Sequence, residues 1–374
     1  MLNLTISFIV SLLTTLFLVR FANRNAAATD YDLSGVQKFH VHPVPRIGGV
    51  GIVAACCVAV AALAARDLPL AIDLALLLAC SIVVFGAGLV EDFTKHVRPM
   101  VRLVCALVSG ALAALLLRAT VIRIDIPFVD TWLAIPLIGA LVAVLCVGAL
   151  VNAVNIIDGF NGLAAAAAMT MFASLGYVAF KVGDPLVLAG ALIMIGAILG
   201  FLVWNYPYGL IFLGDGGAYF LGFMLAELGI LLVSRNPGVS AWYPALLFIY
   251  PIFETAFSIY RKKYLRGMSP AIPDGIHLHM LIYKRVIRWT IGPRNAKMLI
   301  QRNAVTSPYL WALSLVAIVP ATVFWDHGTV LMFFLATFIV IYSWLYTAIV
   351  RFRTPRWLVW RKTDEPAPGR RPRR

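Results

Sequence analysis

Residues 133–163 read LAIPLIGALVAVLCVGALVNAVNIIDGFNGL. No charged residue falls between Asp130 and Asp158. An uncharged apolar run of about 20 residues is long enough to cross the hydrocarbon core of a bilayer as a helix, and the run over 133–151 predicts a membrane span. Its end reads differently. Asn152, Asn155 and Asp158 recur every third residue, which on a helix keeps them within one broad face. Gly159 and Gly162 follow and permit tight backbone turns. Amides and an acid at the end of a span are costly and tend to be functional; an inter-helix hydrogen-bond seam is the plainer alternative.

The rest of the chain repeats this pattern. Of 374 residues, 61% are hydrophobic and 13% charged, about half the charge a soluble surface needs, and the mean hydropathy is +0.90. Further apolar runs lie near 1–19, 47–65, 70–90, 100–117, 162–180, 185–204, 209–233, 241–260, 308–325 and 329–350. They predict an all-α polytopic membrane protein with about eleven transmembrane helices, ten at the fewest, in one integral membrane domain over 1–350. Residues 1–19 lack a basic leader and read as the first span rather than a signal peptide. Residues 351–374 form a basic, Pro/Arg-rich tail, expected to be disordered and drawn to anionic lipid headgroups.

The net charge of +14 could suggest nucleic acid, but its distribution argues for a bilayer instead. With the N-terminus outside, the outward loops hold only Arg66, Arg118, Arg123, Lys181 and Arg235 of the 31 lysines and arginines. The positive-inside rule therefore predicts a periplasmic N-terminus and a cytoplasmic C-terminus, with no nucleic-acid partner. The five cysteines sit in apolar runs without metal-ligand spacing and read as packing residues.

Three more polar clusters fall on the inward side. Glu91-Asp92, with Lys95, ends an apolar run; adjacent carboxylates repel and call for a cation, a shared proton or water. Asp215 stands in Leu213-Gly-Asp-Gly-Gly217, where glycines let backbone approach a phosphate or a metal, although a plain turn would also explain them. The loop after Arg261-Lys-Lys263 carries Asp274-Gly-Ile-His277-Leu-His279. Two histidines at i, i+2 do not share a helical face, so an extended or loop geometry is expected. Beside basic residues they suit a polyanion such as pyrophosphate, with a plain charged loop and a zinc site as the alternatives. Together the clusters suggest a metal-dependent phosphoryl-transfer site at one membrane face.

From about Phe39 to Val286 these segments resemble the polyprenyl-phosphate N-acetylhexosamine-1-phosphate transferases, the superfamily of MraY, WecA and WbpL within glycosyltransferase family 4. Val44-Pro-Arg46-Ile-Gly-Gly49 is similar to the family's early cytoplasmic Pro-x-x-Gly-Gly loop, and Glu91-Asp92 to its acidic pair. Asn152–Leu163 resembles its NxxNxxDGxxGL segment, Leu213–Gly217 its LGDxGS segment, and Asp274–His279 its histidine loop. Departures are Glu91 for the usual Asp, Asn161 where many relatives carry Asp, Ala218 for Ser and Met280 for a third His. Pro251-Ile-Phe-Glu254 with Tyr260-Arg-Lys-Lys263 looks most like the O-antigen-type branch around WbpL.

The resemblance implies transfer of N-acetylhexosamine-1-phosphate from a UDP-N-acetylhexosamine to undecaprenyl phosphate, with release of UMP, as the initiating step of an O-antigen-like cell-surface polysaccharide. It implies a bacterial inner-membrane enzyme whose site faces the cytoplasm. It makes Glu91, Asp92, Asp158 and Asp215 the catalytic candidates. Mg²⁺, with Mn²⁺ as its substitute, would be held by Asp215 with Asn155 and Asp158. Arg46, Lys95, Asn152, Asn155, Asn161, Asp274, His277 and His279 are the substrate-binding candidates, and analogy suggests a homodimer. The rival class is a transporter or flippase, which would put its polar groups near the midplane and show internal repeats; neither pattern is visible here.

Overall fold

The computed structural model describes residues 1–22, 29–30, 44–269, 275–287 and 296–353. Its helices, in chain order, are α1 (Leu2–Ala22), α2 (Gly48–Ala64), α3 (Leu68–Thr94), α4 (Pro99–Leu116), α5 (Pro127–Leu133), α6 (Pro136–Ile157), α7 (Leu163–Val182) and α8 (Pro185–Asn205). They continue with α9 (Gly214–Arg235), α10 (Trp242–Leu247), α11 (Ile249–Tyr260), α12 (Leu278–Leu281), α13 (Ala296–Val323) and α14 (Gly328–Val350). Two π-helical turns, Arg261–Leu265 and Ile282–Ile287, follow α11 and α12. The described β structure is one antiparallel pair, β1 (Thr29–Asp30) with β2 (Val44–Pro45).

Helix starts follow local chemistry. Proline opens α4, α5, α6 and α8, where its fixed φ fits and its missing N–H costs nothing. Asp184 caps α8 by accepting from the N–H groups of Leu186 and Val187 at 3.1 and 3.2 Å, satisfying donors with no partner inside the helix.

Every apolar run read from the sequence is helical. Among the described residues nine helices are long and apolar enough to span a membrane, and α2, at 17 residues, is a shorter tenth. The run 241–260 departs from a single span. It is divided at Phe248 into α10 and α11, with Pro244 and Pro251 within the two pieces; each proline removes a backbone donor and disturbs the turn before it. The run 209–233 begins its helix at Gly214, and the run 308–325 extends back to Ala296 through Pro308.

At the centre is α9, buried along nearly its whole length and packed between α3 and α6. Glycines bring these helices together: a Cβ at Gly222 would lie 2.6 Å from the Cα of Val151, and one at Gly88 would lie 2.5 Å from the N of Gly216. Outer helices face away from this core with apolar stripes, such as Leu137, Leu141 and Leu145 on α6, the i, i+4, i+8 pattern of one helix face. The helices alternate in direction, so the C-termini of α3 and α6 and the N-termini of α4, α7 and α9 lie at the same end of the bundle. The polar motifs collect there.

Candidate active site

The first turn of α9 carries Asp215, and a network holds it. The loop before α2 pairs with the strand-like approach to α9: Phe212 N–H donates to the Pro45 carbonyl at 2.8 Å, while Gly48 and Gly49 donate to the carbonyls of Phe212 and Leu213 at 2.9 Å. Gly214 then turns at φ +78, and a Cβ there would lie 2.1 Å from the Arg46 carbonyl oxygen and 2.6 Å from Asp92 Oδ2. Only glycine meets both demands. The Asp92 carboxylate, buried at the end of α3, accepts from the N–H of Asp215 at 2.9 Å and of Gly216 at 3.0 Å. It satisfies two unpaired donors at a helix start, where negative charge is favoured.

The Asp215 carboxylate is gripped on both oxygens. Oδ1 accepts from Arg46 at 3.2 Å and from the Asn155 amide at 3.1 Å; Oδ2 accepts from Arg102 at 2.9 Å. Arg46 Nε also lies 3.7 Å from Asp92, and Arg102 lies 3.7 Å from Glu91. Glu91 takes the N–H of Val97 at 2.8 Å, which folds the α3–α4 turn back on itself. The adjacent acids Glu91 and Asp92 thus part company: one binds the turn and Arg102, the other caps α9.

Asp158 ends α6 within electrostatic reach of Arg46, Asp215 and Asp92, and burial pushes its carboxyl up to about 7. Among the described residues no hydrogen bond is made to it. The loop that follows is fixed from behind. Asn161 N–H donates to Asn303 at 2.8 Å, its amide donates to the Pro207 carbonyl at 3.0 Å, and its carbonyl accepts from Ser307 at 2.6 Å. Gly162 N–H donates to Asn205 at 2.6 Å. Three carboxylates (Glu91, Asp92, Asp215) therefore share two guanidinium groups (Arg46, Arg102) in the bonded network, and Asp158 stands within electrostatic reach of it. Among the described residues no three acids, histidines or cysteines are gathered as a preformed metal site; the oxygens of Asp158, Asp215 and Asn155 are the donors of the type a hard divalent cation takes. Such a cation usually takes one or two carboxylates and completes its shell with water and substrate phosphates.

The histidines approach from the other side. His277 precedes α12 in an extended conformation, so its ring lies parallel to that of His279, centroids 5.4 Å apart, despite the i, i+2 spacing. His279 is fully buried, its ring edge-on to Phe160, and both ring nitrogens lack a hydrogen-bond partner among the described residues. A Cβ on Gly159 would lie 3.1 Å from His279 Nε2, so the ring sits against the backbone next to Asp158. Burial drives the His279 imidazole down to about 3; it is neutral.

The structure thus gathers Arg46, Glu91, Asp92, Asn155, Asp158 and Asp215, and sets His277 and His279 beside them. Asn152 bonds back to the Gly148 carbonyl at 2.7 Å within its own helix. Lys95 is the exposed, left-handed cap of α3. Asn161 anchors the loop to α13, and Asp274 lies outside the described residues. Two residues of the network are not among the candidates from the sequence: Arg102, and Glu254, which there marks only the resemblance to the WbpL-like branch. The one signal was an isolated charge inside an otherwise apolar run.

Residues 74–233 match the model of the family described as glycosyl transferase family 4. The chain is 28% identical over 292 residues to a probable undecaprenyl-phosphate N-acetylglucosaminyl 1-phosphate transferase of Bacillus subtilis (strain 168), covering 75% of this chain and 77% of the relative. It is 26% identical over 269 residues to an undecaprenyl-phosphate alpha-N-acetylglucosaminyl 1-phosphate transferase of Yersinia pestis, covering 68% and 69%. It is 28% identical over 327 residues to a decaprenyl-phosphate N-acetylglucosaminephosphotransferase of Mycolicibacterium smegmatis, covering 78% and 75%.

Proposed function

We propose that the chain, which resembles glycosyl transferase family 4 over residues 74–233, transfers N-acetylhexosamine-1-phosphate from a UDP-sugar to undecaprenyl phosphate. The products are undecaprenyl-diphospho-N-acetylhexosamine and UMP, and the step begins a cell-surface polysaccharide of O-antigen-like type. The observation that carries this reading is the cradle around Asp215: a carboxylate fixed at a helix N-terminus, ringed by Arg46, Arg102 and Asn155, at the end of the bundle where Asp158 and the histidines meet.

In this reaction an oxygen of the acceptor phosphate attacks the sugar-side phosphorus of the donor pyrophosphate. The phosphorus–oxygen bond to UMP breaks, and UMP leaves with the electron pair. Asp215, with Asp158 and Asn155, would hold Mg²⁺ or Mn²⁺, which when bound supplies positive charge to the pyrophosphate oxygens. The chain's own residues orient and neutralise. Asp92 fixes the backbone of Asp215, Arg46 and Arg102 hold its carboxylate, and His277 offers its ring nitrogen to the remaining phosphate oxygens, with the neutral, buried ring of His279 stacked beside it. Positioning and charge stabilisation carry most of the rate in phosphoryl transfer. A proton acceptor has little to do, because a phosphate with a second pKa of about 6 is largely a dianion at neutral pH.

The inward clustering of lysine and arginine supports a site facing the cytoplasm at the inner membrane, where a nucleotide sugar and a lipid phosphate can both reach it. The test is a donor panel on purified protein in detergent, with undecaprenyl phosphate, Mg²⁺ and UDP-N-acetylglucosamine, UDP-N-acetylgalactosamine and their 6-deoxy relatives. Metal-dependent lipid product with UMP release is expected from at least one donor. Release of UDP in place of UMP would show a different bond being broken.

A further inference from the structure

Glu254 is a buried acid on α11 that no catalytic assignment above uses. Both oxygens are engaged. Oε1 accepts from His277 Nδ1 at 3.0 Å and from the Leu278 N–H at 3.1 Å; Oε2 accepts from the Tyr342 hydroxyl of α14 at 2.7 Å. Leu278 N–H and Tyr342 O–H donate to Glu254, and an ionised carboxylate can only accept, so its contact with His277 selects the ring form with a proton on Nδ1. That choice fixes the tautomer and leaves Nε2 as the nitrogen available to a ligand. It also fixes the ring plane, and the parallel ring of His279 lies against it beside Gly159. A buried carboxylate with three donors is costly to assemble and to break; here the arrangement reaches from α14 to the edge of the acidic cluster. Tyr346, one turn further along α14, donates to the Ile276 carbonyl at 3.3 Å and accepts from Arg261 at 2.9 Å. The last helix thus braces the histidine segment at two points.

We propose that Glu254, held by Tyr342, is the positioning residue that sets the tautomer and ring orientation of His277 for the pyrophosphate of the donor. The inference rests on the transfer reading above. Glu254 acts through His277 and does not touch substrate.

The test pairs Glu254→Gln, His277→Gln and the double variant of full-length protein in detergent. UDP affinity is measured by calorimetry as a readout independent of turnover, alongside donor and acceptor KM and the thermal midpoint. Glu254→Gln is expected to weaken UDP binding and raise donor KM about tenfold, the scale of one lost charge-assisted hydrogen bond, with acceptor KM unchanged. The double variant should match His277→Gln within about twofold, because residues acting through one another are not additive. Losses that multiply, or a Glu254→Gln protein that binds UDP as the wild type does, overturn the proposal. If Glu254→Gln fails to fold, Tyr342→Phe carries the test: UDP binding weakened about threefold supports the link, and unchanged binding breaks it. UDP binding that depends on Glu254 in a wild type that transfers nothing would contradict the transfer reading and leave the positioning role standing.

Discussion

The carboxylate of Asp92 holds the backbone of Asp215, accepting its N–H at 2.9 Å and that of Gly216 at 3.0 Å. One acid thereby aims another. Asp92 ends α3, Asp215 begins α9, and the two helices cross so closely that Gly88 has no room for a side chain and a Cβ on Gly216 would press on the backbone of Leu89 at 3.0 Å. The arrangement gives the two acids different work: Asp92 has both oxygens committed to backbone donors, while Asp215 faces side chains that can yield to a ligand.

Asp92→Asn should therefore act on the geometry of Asp215. The amide retains one acceptor oxygen and turns N–H groups toward a backbone donor. Transfer rate is expected to fall by at least about tenfold, with more Mg²⁺ needed for half-maximal activity. Titrating Mg²⁺ against turnover checks this; a normal Mg²⁺ requirement would separate Asp92 from the placement of Asp215.

Arg102 bridges Asp215 at 2.9 Å and Glu91 at 3.7 Å. Lysine keeps the charge but not the guanidinium fork. Arg102→Lys is expected to lose about tenfold in kcat, and Arg102→Ala more, because the carboxylates left behind are poorly compensated. Comparing the two at saturating donor separates charge from geometry.

Gly214 and Gly183 form a matched pair. Both have positive φ, +78 and +73, but a Cβ at Gly214 meets Arg46 and Asp92 whereas one at Gly183 meets nothing within 4 Å. Gly214→Ala should abolish transfer or folding. Gly183→Ala should cost only the backbone penalty, about 1 kcal/mol, and keep its activity. Equal behaviour of the two would contradict the close approach drawn at Asp215.

His279 predicts an acid sensitivity. Burial holds its imidazole down to about 3 in the folded protein, against about 6.5 when unfolded. Below about pH 6.5 the unfolded chain binds the extra proton, so stability falls as pH drops towards 3, by about 1.4 kcal/mol per pH unit at most. The thermal midpoint of wild type should fall more steeply between about pH 6 and 4 than that of His279→Gln, which has no such group to titrate. Parallel curves would mean that the ring is not buried neutral.

Much of this was legible in the sequence because membrane helices announce themselves by length and lack of charge, and every apolar run became helical. The breaks were less visible. Nothing polar marks Phe248, where the expected span 241–260 divides. The paired look of Glu91 and Asp92 also misleads, since neighbours on a helix point about 100° apart and reach different partners. Arg102 and Glu254 stayed hidden because each is a single charge whose partners lie far along the chain. Asn161 carries the side chain of a binding residue, yet its bonds run to Pro207 and to α13, contacts that only the folded chain reveals.

The most direct measurement follows one phosphorus atom. A UDP-N-acetylhexosamine labelled at its β-phosphorus is given to wild type and to Asp215→Asn, with undecaprenyl phosphate and Mg²⁺. Transfer of sugar-1-phosphate sends the label into the lipid phase together with the sugar and leaves unlabelled UMP behind, and Asp215→Asn, still folded, should lose this by at least about a hundredfold. Label that stays with the nucleotide while sugar enters the lipid, or an Asp215→Asn protein as active as wild type, would contradict the account at its centre.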